Sequence, residues 1–365
     1  MHVWRRAIHL RSSLDTHASL WRRKRGVCFK NPIIQKAYGN SQSFSLQSIP
    51  AVLIPPAVFG GLLVTLWVYK CLMLVVFQNK IIYMPSIPPF SRSEKIGDYS
   101  SQCRPAIWTE HSLKSSDGTA IKLVEGSLSP LEETEAATEH IVVVYFQGYQ
   151  CAPLPPRLPY LSHVLKDLAR VPKQHRKYTI VALSYRGYWT SGGRPSQKGI
   201  TLDAEAALRW VKARHGQARV VVWGQSIGAG VATVSLANSI NGGNNVDNLS
   251  GLVLETPFVD LQAMLVALYP QKFLPYRYLG PFLRSTWDSG TALLQISAIK
   301  RDLNVLILEA GDDEIVPAGQ AEILEEICAK QCLPVQRKIV AGSLHTEAIT
   351  KRQGRQHVVG FLQSL

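Results

Sequence analysis

The chain has 365 residues, enough for one α/β core with additional segments, and a formal net charge of +14 at pH 7. Residues 1–50 contain nine Lys and Arg residues and one acidic residue, Asp15. Most of the positive net charge therefore lies in the N-terminal segment and not in the rest of the chain. No stripe of basic residues interleaved with aromatics runs through the body of the chain, which argues against nucleic acid as a partner, and the six scattered cysteines argue against a disulfide framework. Cys328 and Cys332 lie one turn apart without a His or a second Cys pair nearby, so we expect neither a metal site nor an organic cofactor.

The first two segments predict a membrane anchor with a basic flank. Residues 1–50 are rich in Arg and nearly free of acids, which fits either a disordered tail on the cytoplasmic side of a membrane or a mitochondrial presequence. Residues 51–69 are 19 uncharged positions, about 29 Å as a helix, and the apolar run continues past Lys70 to residue 77. We therefore predict a transmembrane anchor over 51–77, with the N-terminus inside and the following domain outside or in a lumen. The expected location of this single-pass protein is the endoplasmic reticulum or another endomembrane, with a mitochondrial membrane as the alternative.

The rest of the chain divides into a linker, 78–104, and one domain, 105–365, in which strands and helices alternate. Predicted strands cover 106–113, 120–125, 141–146, 179–184, 219–223, 251–254, 303–309 and 335–340. Predicted helices cover 157–168, 201–214, 227–239, 320–329 and 346–362. Apolar strands separated by helices indicate an α/β fold whose mostly parallel sheet is covered on both faces. The insertion 257–299, rich in Pro and aromatics, is either a small lid that forms an acyl pocket or a cap that packs on the sheet.

The most informative motif is Gly-x-Ser-x-Gly at 224–228, with Ser226 at its centre. An apolar, β-branched run precedes it and small residues suited to a helix follow, so the order is strand, sharp turn, helix. In such a turn the residues two before and two after the serine nearly touch, and a Cβ at either glycine would clash. The turn exposes the serine Oγ at the edge of the sheet, which favours Ser226 as a nucleophile.

A serine nucleophile needs a base and an orienting acid, which this architecture supplies after later strands in the order Ser, acid, His. His345 follows the strand 335–340 and enters the last predicted helix, so it is the predicted base. Asp313 follows the strand 303–309 and is the predicted acid, with its neighbours Asp312 and Glu314 as rivals. Glu255, just after the strand 251–254, is a further alternative.

Two backbone N–H groups are predicted to hold the oxyanion of the reaction intermediate. The N–H of Ile227 begins the helix after the serine, where unpaired amides and the helix dipole favour negative charge. The second donor is expected in the loop after the strand 141–146, where Gly148 permits a tight turn and Tyr149 supplies the N–H.

Four further stretches accompany these motifs: QNKIIYMP at 78–85, SYRGY at 184–188, GRPS at 193–196 and GITLD at 199–203. Together the motifs resemble the α/β-hydrolase superfamily, and within it the membrane-anchored α/β-hydrolase-domain proteins of the fungal bud-emergence type. The resemblance covers about residues 70–365 and implies an α/β-hydrolase fold with Ser226 as nucleophile, Asp313 as acid and His345 as base. Relatives usually carry His-Gly-Asn where this chain has Gln147-Gly148-Tyr149, a change that retains a backbone donor and alters the side chains shaping the loop.

Members of this family include lipid hydrolases and protein depalmitoylases. The predicted function is therefore a membrane-anchored serine hydrolase that cleaves the ester or thioester bonds of acyl lipids or acylated proteins. The alternative is a non-catalytic membrane scaffold built on the same fold. We predict no cofactor, and the sequence patterns give no oligomeric state.

Overall fold

The computed structural model describes residues 50–85, 92–128, 139–148, 153–170, 176–243 and 248–365. Except for Pro50, the predicted basic tail lies outside these residues. The described strands are β1 (Ala106–Lys114), β2 (Ala120–Leu128), β3 (Glu139–Phe146), β4 (Arg176–Ser184), β5 (Arg219–Gln225), β6 (Leu249–Glu255), β7 (Asn304–Ala310) and β8 (Val335–Val340). Among the described residues they form one eight-stranded sheet in the order β1-β2-β4-β3-β5-β6-β7-β8.

The sheet is antiparallel at one edge and parallel elsewhere. β2 pairs antiparallel with both β1 and β4, whereas the pairs from β4 through β3, β5, β6 and β7 to β8 are all parallel. The central strands β3 and β5 are buried at nearly every position, because helices cover both faces and leave no polar side. The predicted mostly parallel sheet is confirmed.

The helices of the described residues are α1 (Ile54–Tyr83), α2 (Ser100–Cys103), α3 (Leu158–Ala169), α4 (Gln197–Arg214), α5 (Ile227–Asn241), α6 (Leu261–Leu268), α7 (Ser289–Ile299), α8 (Gln320–Lys330) and α9 (Arg352–Ser364). One core cluster packs α4, α5, α7 and α8 on the sheet, and the other packs α3 and α9 on the opposite face. The carboxyl ends of the parallel strands are thereby left open to loops.

The helix of the predicted anchor is longer than expected. α1 runs to Tyr83, six residues past the predicted end at 77, so the first part of the predicted linker is helical. Gln78 and Tyr83 are buried, and Gly60–Leu365 form one compact unit that includes this end of α1. Apolar periodicity alone could not show this extension, since these two side chains find their partners more than 200 residues away.

The insertion 257–299 contains two helices that the sequence analysis did not predict, α6 and α7. Asp260 accepts the N–H of Ala263 at the start of α6 (2.7 Å), and Asp288 accepts the N–H of Thr291 at the start of α7 (2.8 Å). These carboxylates satisfy amides that a helix start leaves unpaired. α7 packs against α5 in the core. The last part of the insertion therefore belongs to the core of the domain.

The last helix begins later than predicted. α9 starts at Arg352, not at residue 346, and His345 therefore lies in a loop. The Glu347 carboxylate accepts the N–H of Leu344 (3.2 Å), and Thr350 Oγ1 donates to the Glu347 carbonyl (2.8 Å). These local bonds hold the segment as successive turns and delay the helix.

Candidate active site

The turn between β5 and α5 holds Ser226 in a backbone conformation that side chains rarely adopt. Its φ is +52° and its ψ is −121°, and the chain reverses so sharply that flanking residues come into contact. A Cβ at Gly224 would overlap the carbonyl of Gly228, and one at Gly228 would overlap the carbonyl of Phe146. The turn therefore requires both glycines, and it presents Ser226 Oγ at the carboxyl edge of the sheet.

The loops after β7 and β8 bring two more of the predicted residues to this serine. His345 Nε2 lies 2.8 Å from Ser226 Oγ, and His345 Nδ1 lies 2.8 Å from Asp313 Oδ2. β7 and β8 are adjacent parallel strands, so both loops emerge at the same edge of the sheet. His345 is 2% exposed and Ser226 is 9% exposed. A hydroxyl, an imidazole and a carboxylate thus form one hydrogen-bonded row that bulk water barely reaches.

Asp313 is held by its own turn as well as by the imidazole. Its Oδ1 accepts the backbone N–H groups of Ile315 (2.9 Å) and Val316 (2.8 Å). Burial raises the pKa of this carboxyl, but the hydrogen bond and charge of His345 and the two N–H groups outweigh burial, and the pKa lies below its usual range. At neutral pH Asp313 is therefore a carboxylate that fixes the orientation of the ring.

The rival acids beside Asp313 occupy different positions. Asp312 is exposed, and its backbone N–H donates to the Ser343 carbonyl at 3.0 Å. Glu314 Oε2 accepts the backbone N–H of His345 at 2.9 Å. Glu314 therefore holds the loop that carries the histidine, a contact that the sequence patterns did not reveal.

Glu255 belongs to a second, fully buried polar network next to the serine. Its backbone carbonyl accepts the Ser226 N–H at 2.7 Å, and its carboxylate accepts Trp223 Nε1 (3.0 Å) and Gln225 Nε2 (3.1 Å). Gln225 Oε1 accepts the hydroxyl of Tyr145 at 3.1 Å. The sequence analysis named Glu255 only as an alternative acid and missed these partners, because the network joins residues of three different strands, β3, β5 and β6.

The predicted oxyanion donors can be located in part. Ile227 is the first residue of α5, where a helix leaves its amides without intrahelical partners. Gly148 passes close above the nucleophile, since a Cβ on it would lie 3.1 Å from the Gln225 carbonyl and 3.2 Å from Ser226 Cβ. Tyr149 lies outside the described residues, so the second donor stays a prediction.

Known proteins share this architecture. A family model of the alpha/beta hydrolase fold matches residues 161–284. The alpha/beta hydrolase domain-containing protein WAV2 of Arabidopsis thaliana is 31% identical over 278 residues, which are 73% of this chain and 79% of that protein. This chain belongs to the α/β-hydrolase-domain family of the bem46 type. The resemblance expected from the sequence motifs is confirmed, and with it the assignment to the serine hydrolases.

Other members of this hydrolase family match over a shorter stretch. Protein bem46 of Schizosaccharomyces pombe is 31% identical over 163 residues, 44% of this chain and 50% of that protein. Lysophosphatidylserine lipase ABHD12 of Mus musculus is 31% identical over 202 residues, 54% of this chain and 48% of that protein. The chain thus spans about half the length of these two relatives.

Solved structures of hydrolases share the fold at low sequence identity. An alpha-beta hydrolase from Vibrio vulnificus superposes with a TM-score of 0.58 at 17% identity, covering 79% of this chain and 92% of that one. The esterase Pf2001 of Pyrococcus furiosus gives 0.51 at 17% identity, covering 74% and 93%. The predicted α/β-hydrolase fold is confirmed.

Proposed function

We propose that the chain is a membrane-anchored serine hydrolase that cleaves carboxylic ester or thioester bonds of acyl lipids or acylated proteins. The observation that carries the proposal is the row from Asp313 through His345 to Ser226, with 2.8 Å at each of its two links. Ser226 Oγ attacks the acyl carbonyl while His345 Nε2 takes its proton, and the imidazolium then protonates the leaving oxygen or sulfur. A water molecule, deprotonated by the same nitrogen, cleaves the acyl-serine ester and restores the hydroxyl.

The backbone supports the charge that develops during this reaction. The N–H of Ile227, at the start of α5, is proposed as one donor to the oxyanion, and the N–H of Tyr149 as the other. Asp313 stays ionised and stabilises the imidazolium, as its lowered pKa requires. Each of these groups therefore stabilises the transition state more than the bound substrate.

Two observations favour acylated substrates that are bound to a membrane. α1 belongs to a stretch, Ala51–Tyr83, that is long and apolar enough to cross a bilayer. A relative is named a lysophosphatidylserine lipase. The basic residues before the stretch favour a cytoplasmic N-terminus and a catalytic domain in the lumen of the endoplasmic reticulum or another endomembrane, with a mitochondrial membrane as the alternative. Protection of the catalytic domain from protease in sealed microsomes tests this orientation.

Labelling with a fluorophosphonate probe tests the proposed chemistry, because the probe reacts with activated serines. We expect the detergent-solubilised wild type to be labelled, Ser226→Ala to be unlabelled and His345→Ala to be labelled far more slowly. Ser343→Ala is the matched control, since this buried serine near His345 donates only to the Val340 carbonyl (2.8 Å) and should leave labelling unchanged. A folded but unlabelled wild type would favour the alternative, a non-catalytic membrane scaffold.

A further inference from the structure

The last turns of α1 and part of the insertion enclose an apolar groove. We call the insertion residues 261–283 the lid segment. The groove has a volume of about 100 Å³ and is partly open to solvent. Its walls include Leu74, Val75 and Ile82 from α1, and Leu261, Leu265 and Phe282 from the lid segment.

The polar side chain in this groove has its hydrogen-bonding atoms engaged. Gln78 Nε2 donates to the carbonyls of Val75 (3.0 Å) and Phe282 (3.1 Å), and Gln78 Oε1 accepts the N–H of Arg284 (2.6 Å). These bonds hold the lid segment against α1. They also leave the amide little capacity to bind a polar ligand. The groove therefore suits a hydrocarbon chain and not a polar head group.

The groove begins where the charge-free part of α1 ends. One turn before Leu74, Lys70 Nζ lies 5.6 Å from the ring centroid of Tyr276, and Trp67 Nε1 donates to the Phe273 carbonyl at 2.8 Å. Trp, Tyr and Lys concentrate at membrane–water interfaces. Phe273 is 72% exposed, which suits a side chain that enters the bilayer. With α1 in a membrane, the mouth of the groove thus faces the lipid head groups.

The other end of the groove lies next to Tyr83, the last residue of α1. Ile82 lines the groove, and its neighbour Tyr83 lines a smaller cavity together with Gly148, Ile227 and Val231. That cavity lies on the side of Ser226 where the oxyanion and the acyl group are expected. Two consecutive residues of α1 thus line two different spaces. Ile82 lines the apolar groove, and Tyr83 lines the cavity beside the reacting serine.

We propose that this groove is the subsite for the hydrocarbon chain of a membrane lipid ester that enters from the bilayer. The inference rests on the proposed function and adds to it the location of the chain and the source of the substrate. It assigns to α1 a part in substrate binding besides anchoring. It also predicts that filling the groove changes the preference for acyl-chain length without touching the reacting residues.

Two pairs of variants in the full-length protein test the subsite. Leu265→Trp fills the groove from the lid segment, and Ala267→Trp, at an exposed position on the other side of the same helix, is its control. Val75→Phe fills the groove from α1, with the exposed Val76→Phe as its control. We expect both groove variants to lower kcat/KM for p-nitrophenyl palmitate in phosphatidylcholine vesicles at least tenfold. Hydrolysis of p-nitrophenyl acetate, fluorophosphonate labelling and both controls should stay within about twofold of the wild type.

Three outcomes contradict the proposal in distinguishable ways. Groove variants that label normally and keep the wild-type ratio of palmitate to acetate hydrolysis would overturn the subsite alone. A wild type that neither labels nor hydrolyses acetate would overturn the proposed function and the subsite with it. A palmitoylated cysteine peptide on the same vesicles that is cleaved faster than the ester, with the same loss in Leu265→Trp, would assign the groove to acylated proteins and not to lipids.

Discussion

Asp312 and Asp313 are neighbours in sequence with opposite surroundings. Asp313 contacts the imidazole of His345 and two backbone N–H groups, whereas Asp312 is exposed to solvent. An amide in place of the inner carboxylate would offer its NH₂ group to Nδ1. His345 would then hold its proton on Nε2 and could not accept the proton of Ser226.

We therefore expect Asp313→Asn to lower kcat by roughly 10³- to 10⁴-fold, as the loss of an orienting carboxylate does in other serine hydrolases. Asp312→Asn should remain within about twofold of the wild type, since it changes a surface charge only. Steady-state hydrolysis of p-nitrophenyl acetate measures both. Equal effects of the two substitutions would reject Asp313 as the orienting acid.

The buried carboxyl group of Glu255 makes the free energy of unfolding depend on pH. Burial raises its pKa to about 7, although the charge of Arg157 and the N–H of Trp223 favour the ionised form. In the unfolded chain the same carboxyl titrates near 4.5. Between these values the folded chain keeps a proton that the unfolded chain has lost, so the free energy of unfolding falls as pH rises from about 4.5 to about 7 and is then constant.

Glu255→Gln removes this titration. Relative to the wild type, we expect the variant to gain on the order of 3 kcal/mol in its free energy of unfolding between pH 4.5 and pH 7.5. Urea unfolding of the detergent-solubilised protein at several pH values measures the difference. The exposed Glu322→Gln serves as control and should follow the wild type. A pH-independent offset in Glu255→Gln would show that the carboxyl keeps an ordinary pKa.

Among the contacts between elements, the guanidinium of Arg186 connects the turn after β4 to α4 and to the turn after β1. Arg186 follows β4 and is almost fully buried, and its guanidinium donates to Asp203 on α4 (2.7 Å) and to Ser115 after β1 (3.2 Å). The same guanidinium also binds Asp117 at 2.6 Å. These contacts give the SYRGY stretch at 184–188 a structural role.

Asp203→Asn should therefore destabilise the fold by roughly 3–5 kcal/mol, because it leaves a buried guanidinium without its main counter-charge. Fluorophosphonate labelling of the folded protein should proceed at the wild-type rate, since the pair does not touch the reacting residues. Glu205→Gln on the same helix is the matched control and should cost at most about 1 kcal/mol. Thermal unfolding followed by circular dichroism distinguishes them.

The elements that the sequence predicted are those with strong local signals. Apolar strands and amphipathic helices depend on neighbours within a few residues, and apart from the start of α9 the structure has their bounds within about four positions of the predicted ones. α6 and α7 escaped prediction because only single capping residues, Asp260 and Asp288, mark their starts. The groove and the Glu255 network depend on residues far apart in the chain, so no local pattern could indicate them.

At the scale of the whole molecule, α1 determines whether the protein is anchored. Its Leu62, Leu63 and Leu66 are more than half exposed, as side chains facing lipid would be. We expect the protein to remain in the membrane pellet after alkaline carbonate extraction. The double variant Leu63→Arg and Leu66→Arg should be extracted, since each arginine near the centre of a membrane helix costs about 3 kcal/mol.

The matching control places two arginines on the body of the catalytic domain, at Ile299 and Ile323, which are 60% and 45% exposed. This variant should stay in the pellet, because it leaves α1 unchanged. Extraction of the wild type itself would contradict the proposed anchor. Extraction of the control would indicate that the domain surface holds the protein on the membrane.

Tyr83 has a consequence for release from the membrane. Its hydroxyl donates to Ser285 Oγ and accepts from Trp287 Nε1, both at 2.9 Å, and its carbonyl accepts the hydroxyl of Tyr188. A protease that cut α1 before Gln78 would free a domain that still contains this tyrosine and its partners. A cut after Tyr83 would free one with a vacant site beside the nucleophile. Cleavage before Gln78 would therefore keep the contacts of Tyr83 but remove Leu74 and Val75 from the groove, whereas cleavage after Tyr83 would remove both.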